Sequence, residues 1–180
     1  MDDLRSDIET ADGLTILAEH PGHYVIAAWG AVAIVRWMRQ ADGPAMKRVH
    51  ESFAPVVKAH PRGVSFVHLV EADAGLPDAG ARRALAEMMV SFAETTVGVG
   101  VLLMGNGFWA SAMQSLLTGM RLVAPPRPWT MRFASRTSEL SDWLPHVHEQ
   151  RTKQRIDRAE LEAVLNSVLA YASQRRAANG

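Results

Sequence analysis

Three β-rich runs stand so close together that no helix fits between them. Leu14–Ala18, Tyr24–Trp29 and Val32–Met38 are separated only by the turn signal His20-Pro21-Gly22-His23 and by Gly30. A parallel connection needs a crossover of about a dozen residues or more, so these runs must pair antiparallel. After Met38 the period changes. Asp42-Gly43-Pro44 offers a cap and a first-turn proline, and Met46, Val49, Phe53, Val56 and Val57 follow at helical spacing. Pro55 is expected to kink or divide this helix.

From Val64 onward strand and helix signals alternate. Val64–Val70 reads as a strand, and Glu71–Pro77 as a loop. Asp78 caps a helix whose buried face is Ala81, Leu85, Met88, Met89 and Phe92. Val97–Met104 reads as a central strand, Gly105-Asn106-Gly107 as a turn and Phe108–Leu122 as a helix. Pro125-Pro126-Arg127-Pro128 stiffens the return to a last strand, Trp129–Ala134. Such alternation implies βαβ units and a parallel sheet. Thr137 or Ser138 starts a short helix carrying Leu140, Trp143, Leu144 and Val147, bent or ended by Pro145. The expected fold is therefore α/β: a mixed sheet that opens with antiparallel strands, continues as βα units and has helices packed on it.

This domain spans 14–148. Gln150–Arg155 is polar and basic, and reads as a linker. Asp157 and Glu160 have the spacing of a capping box, and Leu161, Val164, Leu165, Val168 and Leu169 make one apolar face. The segment 157–176 is thus an appended amphipathic helix. It packs on its own domain or serves a homodimer or partner contact.

The composition narrows the function classes. A length of 180 residues fits one domain. Nineteen Lys and Arg balance nineteen Asp and Glu, so nothing electrostatic favours nucleic acid or an anionic membrane. The absence of cysteine removes disulfides, thiolate ligands and thiol nucleophiles. The acidic start Met1-Asp2-Asp3 has no apolar signal-peptide core, and no apolar run is long enough to span a bilayer. The expected location is cytoplasmic.

No motif for catalysis stands out, and no catalytic residue is assigned. G-x-S-x-G, S-x-x-K and the long phosphate loop are missing. The seven histidines form no H-E-x-x-H pattern: His146 and His148 lie two apart, and His50, His60 and His68 are isolated. No metal or cofactor is expected. Gly105-Asn106-Gly107-Phe108-Trp109-Ala110 has the form G-x-G-x-x-A between a strand and a helix, as in dinucleotide sites. It also reads as a tight turn with Phe108 as a packing anchor. Asn106, Phe108 and Trp109 are the candidate ligand-binding residues, with Trp109 lining a pocket or an interface. Nine methionines suggest core filling or an adaptable contact surface. Glu71, Asp73 and Asp78 crowd the loop after a parallel strand, where α/β sheets place function, although Asp78 is explained as a helix cap.

The element order, the loop Leu76-Pro77-Asp78-Ala79-Gly80 before a helix, the strand Gly98–Met104 and the closing Trp143-Leu144 together resemble the STAS fold of anti-sigma-factor antagonists. The likeness is to the divergent STAS/SEC14-type group of small bacterial proteins, and it covers Leu14 to His148. It implies a non-catalytic protein-interaction module in bacterial regulation or signalling. Its docking surface would comprise Asp73, Leu76, Asp78, Ala79, Gly80 and Arg82. Phosphorylatable members begin this helix Asp-Ser-Ser-Gly. Here the stretch is Asp78-Ala79-Gly80-Ala81, so the phosphorylation switch does not carry over. The alternative is a small-ligand binder, nucleotide included, or an enzyme, with a pocket near Gly105–Trp109.

Overall fold

Among the described residues, seven strands form one sheet in the order of the chain. They are β1 (Ile8–Glu9), β2 (Leu14–His20), β3 (Tyr24–Trp29), β4 (Val32–Trp37), β5 (Val64–Val70), β6 (Thr96–Leu103) and β7 (Thr130–Ala134). The computed structural model describes residues 8–9, 13–105, 107–123 and 129–178. Asn106 and the proline-rich return at 125–128 lie outside these residues. β1 to β4 pair antiparallel, and β4 to β7 pair parallel. The mixed sheet is as the spacing of the β-rich runs required.

Three crossover helices join the parallel strands: α1 (Gly43–Ala59), α2 (Ala79–Ser91) and α3 (Gly107–Val123). Each crossover moves the chain one strand further in the same direction. Right-handed crossovers that advance one way place their helices on one face. That face carries Ile26, Val35, Phe66, Val70, Val101 and Leu103, packed against Met46, Val49 and Phe53 of α1, Leu85 and Met88 of α2, and Met113 of α3. Asp42 caps α1, accepting from the Ala45 amide at 2.8 Å. Pro55 lies inside α1 without dividing it.

The opposite face is covered by α4 (Thr137–Thr152) and α5 (Arg158–Ala178). Here the sequence expectations for α4 need correction. α4 does not end near Pro145 or give way to a linker at Gln150; it runs to Thr152 and closes with Lys153 in the left-handed conformation, φ 61°. Its N-cap position is Arg136, not Thr137 or Ser138. α5 packs on its own domain, one of the two readings its apolar face allowed. Leu161, Val164, Leu165 and Val168 are at most 2% exposed and pack with Leu14, Ile16, Val25, Ala27, Val32 and Ile34. The apolar stripe that would have served a dimer is occupied within the chain.

Polar contacts fix α5 to the sheet. Buried Arg36 of β4 pairs with Glu71 through Nε at 2.9 Å and through Nη2, and its Nη1 donates to the Leu169 carbonyl of α5. The Tyr171 hydroxyl donates to Glu19 of β2 at 2.9 Å. Asp157 caps α5, accepting from the amides of Ala159 and Glu160.

α4 lies close on β6 because two glycines let it. A Cβ on Gly100 would stand 3.1 Å from Leu140, and one on Gly98 would stand 3.3 Å from Trp143. Leu140 is fully buried, so it would have to shift within packed surroundings to admit the methyl. Gly100→Ala is therefore expected to destabilise the fold by about 1–3 kcal/mol through overpacking, read as a lower denaturant midpoint at unchanged slope. An unchanged midpoint would show that α4 has slack over β6.

Candidate functional site

The loop and helix singled out by sequence are held mainly by local contacts. Asp78 Oδ1 accepts from the Ala81 amide at 2.6 Å, so it is the cap of α2. Arg82 Nη1 donates to the Pro77 carbonyl at 2.9 Å. Gly80 lies against Gly43, where a Cβ would sit 3.3 Å from the other helix's backbone. Asp73 and Ala79 are exposed, and Leu76 is 39% exposed. Glu71 is committed to Arg36.

The glycine-rich corner is closed by a side chain. The Trp109 ring stands 2.7 Å from where a Cβ of Gly105 would be, beside Ala72. Gly107 has φ 63°, as the turn into α3 requires. Phe108, expected as the packing anchor, is instead 89% exposed, and Trp109 turns inward. Asn106 lies outside the described residues. A cavity lies beneath α3, and Gly105, Phe108 and Trp109 do not line it.

That cavity lies between the sheet and the helices α2 and α3, with a volume of about 80 Å³. Six of the nine methionines line it: Met46, Met88, Met89, Met113, Met120 and Met131. Phe66, Leu85, Phe92, Val101, Leu117 and Trp129 complete most of the wall. Exposed Arg39 marks the rim. The cavity follows from how α3 is made. Gly107–Met120 carries no charge, yet Met113 is its one fully buried residue among the described side chains. α3 roofs this part of the sheet without filling the space below.

One titratable group faces this space from the sheet. His68 sits on central strand β5, in the cross-strand row Ile26, Val35, His68, Val101, Phe133. All its neighbours in that row are apolar. Trp37 Nε1 donates to His68 Nδ1 at 3.4 Å. With Nδ1 accepting, the proton of the neutral ring belongs on Nε2. Nε2 has no hydrogen-bond partner among the described residues, and the ring lines the cavity. Burial lowers the His68 pKa to about 4, so the imidazole is neutral at pH 7.

A buried histidine serves the other face. His148 of α4 bonds Ser65 of β5, Nδ1 to Oγ at 2.9 Å, and both are essentially buried. Its pKa is lowered by burial, and further by the charge of His60. Ser65 is fully buried and does not line the cavity beneath α3, so this pair joins strand to helix. Among the described residues no cluster of His, Asp or Glu could hold a metal, and no helix is long and apolar enough to cross a membrane.

His68 was readable as an exception in the strand Val-Ser-Phe-Val-His-Leu-Val, where alternation sets it beside Phe66 and Val70. The methionines were not readable as a set, because they come from α1, α2, α3 and β7. Comparison with known proteins adds no assignment: no family model, no curated protein and no solved structure matches the chain.

The two histidines set a pH dependence. A histidine with a folded pKa below its unfolded value of 6.5 takes up its proton more readily when unfolded. Its stabilising effect is complete above pH 6.5 and is lost as the pH falls. For His68 the window is pH 6.5 to about 4, and the effect is on the order of 3 kcal/mol. Unfolding free energy measured against pH is expected to drop across this window in the wild type, and to drop less in His68→Leu. Equal slopes would mean that His68 is not buried as a neutral ring.

Proposed function

We propose that this protein is a non-catalytic binding module for a small, largely apolar molecule, held in the cavity beneath α3. The supporting observation is the gathering of six methionines around one space into which a single neutral histidine faces. A core built only for stability fills its volume, because a void forfeits packing energy. Methionine walls are adaptable, with polarizable sulfur and several rotatable bonds, and suit a site that repacks around a guest. Apolar cavities of about 150 Å³ take up benzene. At about 80 Å³ this one admits a single small ring once the methionines adjust. The module would act in the bacterial cytoplasm.

The methionines also report on the site. With methyl-labelled methionine, methylenecyclopentane is expected to shift the resonances of the six cavity methionines and leave Met38 and Met104 in place. Shifts spread evenly over all methionines, or none up to the solubility limit, would remove the cavity as a binding site.

A second reading keeps the STAS-like resemblance and its docking role. It is favoured by Leu76, 39% exposed beside the α2 cap, and by Val90, 61% exposed on α2. A second copy of the chain is the simplest partner to test, and zero net charge offers little resistance to self-association. Light scattering on the full chain and on Leu76→Asp decides it. A dimer dissolved by the substitution supports docking through this loop. A monomer in both leaves the loop as cavity wall alone.

A further inference from the structure

We infer that His68 makes the cavity selective for an uncharged ligand bearing one carbonyl-type acceptor, which the Nε2–H of His68 bonds. This rests on the cavity being a ligand site and adds what the ligand must carry. Trp37 settles the direction of the bond. Its indole N–H can only donate, and it donates to Nδ1. The ring is left with a donor at Nε2, and that donor has no partner among the described residues. His68 is partly buried and lines the cavity, so a ligand acceptor placed there can take this bond. The side chains of the wall offer few acceptors: methionine sulfur is a weak one, and the Thr96 hydroxyl already donates to the Phe92 carbonyl at 2.8 Å.

The ligand's charge follows from the same inventory. An ionised carboxylate in an apolar space needs a counter-charge. His68 is neutral at pH 7 and provides none. Arg39 lines the rim and is exposed, so it remains hydrated. A ketone, amide or lactone carbonyl meets the site without bringing a charge into it. The apolar remainder of such a molecule would rest on the methionines.

The test compares two small rings of the same shape, cyclopentanone and methylenecyclopentane, which differ only in C=O against C=CH2. The ketone costs more to remove from water, so raw affinities do not isolate the hydrogen bond. The ratio of the two affinities, compared between wild type and His68→Leu, cancels that cost. It also cancels the change in cavity volume. The ratio is expected to shift against the ketone by about 3- to 10-fold or more in His68→Leu. His68→Gln, which keeps one donor and one acceptor, is expected to restore most of it. In the wild type, the His68 ring N–H resonance should move downfield with cyclopentanone and not with methylenecyclopentane, a readout that does not depend on any variant folding. A ratio unchanged in His68→Leu, with the cavity methionines still responding to both rings, would overturn the selection by His68 and leave the cavity as a site. Cyclopentanecarboxylate binding more tightly than the ketone would overturn it in favour of Arg39. No response of the cavity methionines to either ring would remove the binding reading itself, and this inference with it.

Discussion

The handedness of three βαβ crossovers organises the molecule. β4, β5, β6 and β7 are laid down side by side in one direction. Right-handed connections then have one face available to them, and α1, α2 and α3 all lie there. The strands are nonetheless apolar on both faces: β4 is buried along its whole length, and β3 nearly so. A sheet of this kind is unstable until its second face is covered. Among the described residues, the chain after β7 covers it: α4 and α5 return across the sheet, and α5 reaches back to the antiparallel strands.

The two faces are therefore built differently. On the side of α4 and α5, glycines at 98 and 100 bring helix and sheet into close contact, and Ser65, His148, Arg36 and Glu71 meet their polar requirements inside it. Buried charge is tolerated there because each group is paired and further hydrogen-bonded. On the crossover side, α1 and α2 pack on each other and on the central strands, but α3 must roof β6 and the edge strand β7. It does so with uncharged, largely half-buried residues and one buried methionine. The cavity is the space left by this arrangement, and the sheet presents to it His68, the only titratable side chain in its cross-strand row, and Thr96 of β6.

Much of this was legible in the residues, and for local reasons. Asp42, Asp78 and Asp157 were readable as caps because a cap needs only a short acceptor ahead of a helical run, and each accepts the expected amide. The antiparallel opening was readable because chain length forbade anything else. The failures share a different cause. Gln150–Arg155 looks like a linker by composition, yet α4 continues to Thr152 because Thr152 and His148 are buried against the sheet. Phe108 and Trp109 are adjacent and equally bulky, and only the space over Gly105 decides which turns inward. The apolar face of α5 was visible, but its partner was not, since the bare sheet face exists only after the crossovers have been counted. The cavity has no signature in any one segment, because four elements contribute its methionines.

The same geometry links the two surfaces that sequence reasoning held apart. Ala74, Gly75 and Pro77 line the cavity from the loop that carries Leu76, while Leu85, Met88 and Met89 line it from α2. Leu76 and Val90 face outward from the same two segments. Gly75, at φ 69°, gives this loop a backbone conformation that side chains rarely permit, and it packs on Gln40, whose amide donates to the Leu76 carbonyl at 2.7 Å. The loop is thus one layer thick, with cavity on one side and solvent on the other. If the cavity takes a guest as proposed, the face held by α4 and α5 leaves the loop, α2 and α3 as the parts that would have to move to make room for it.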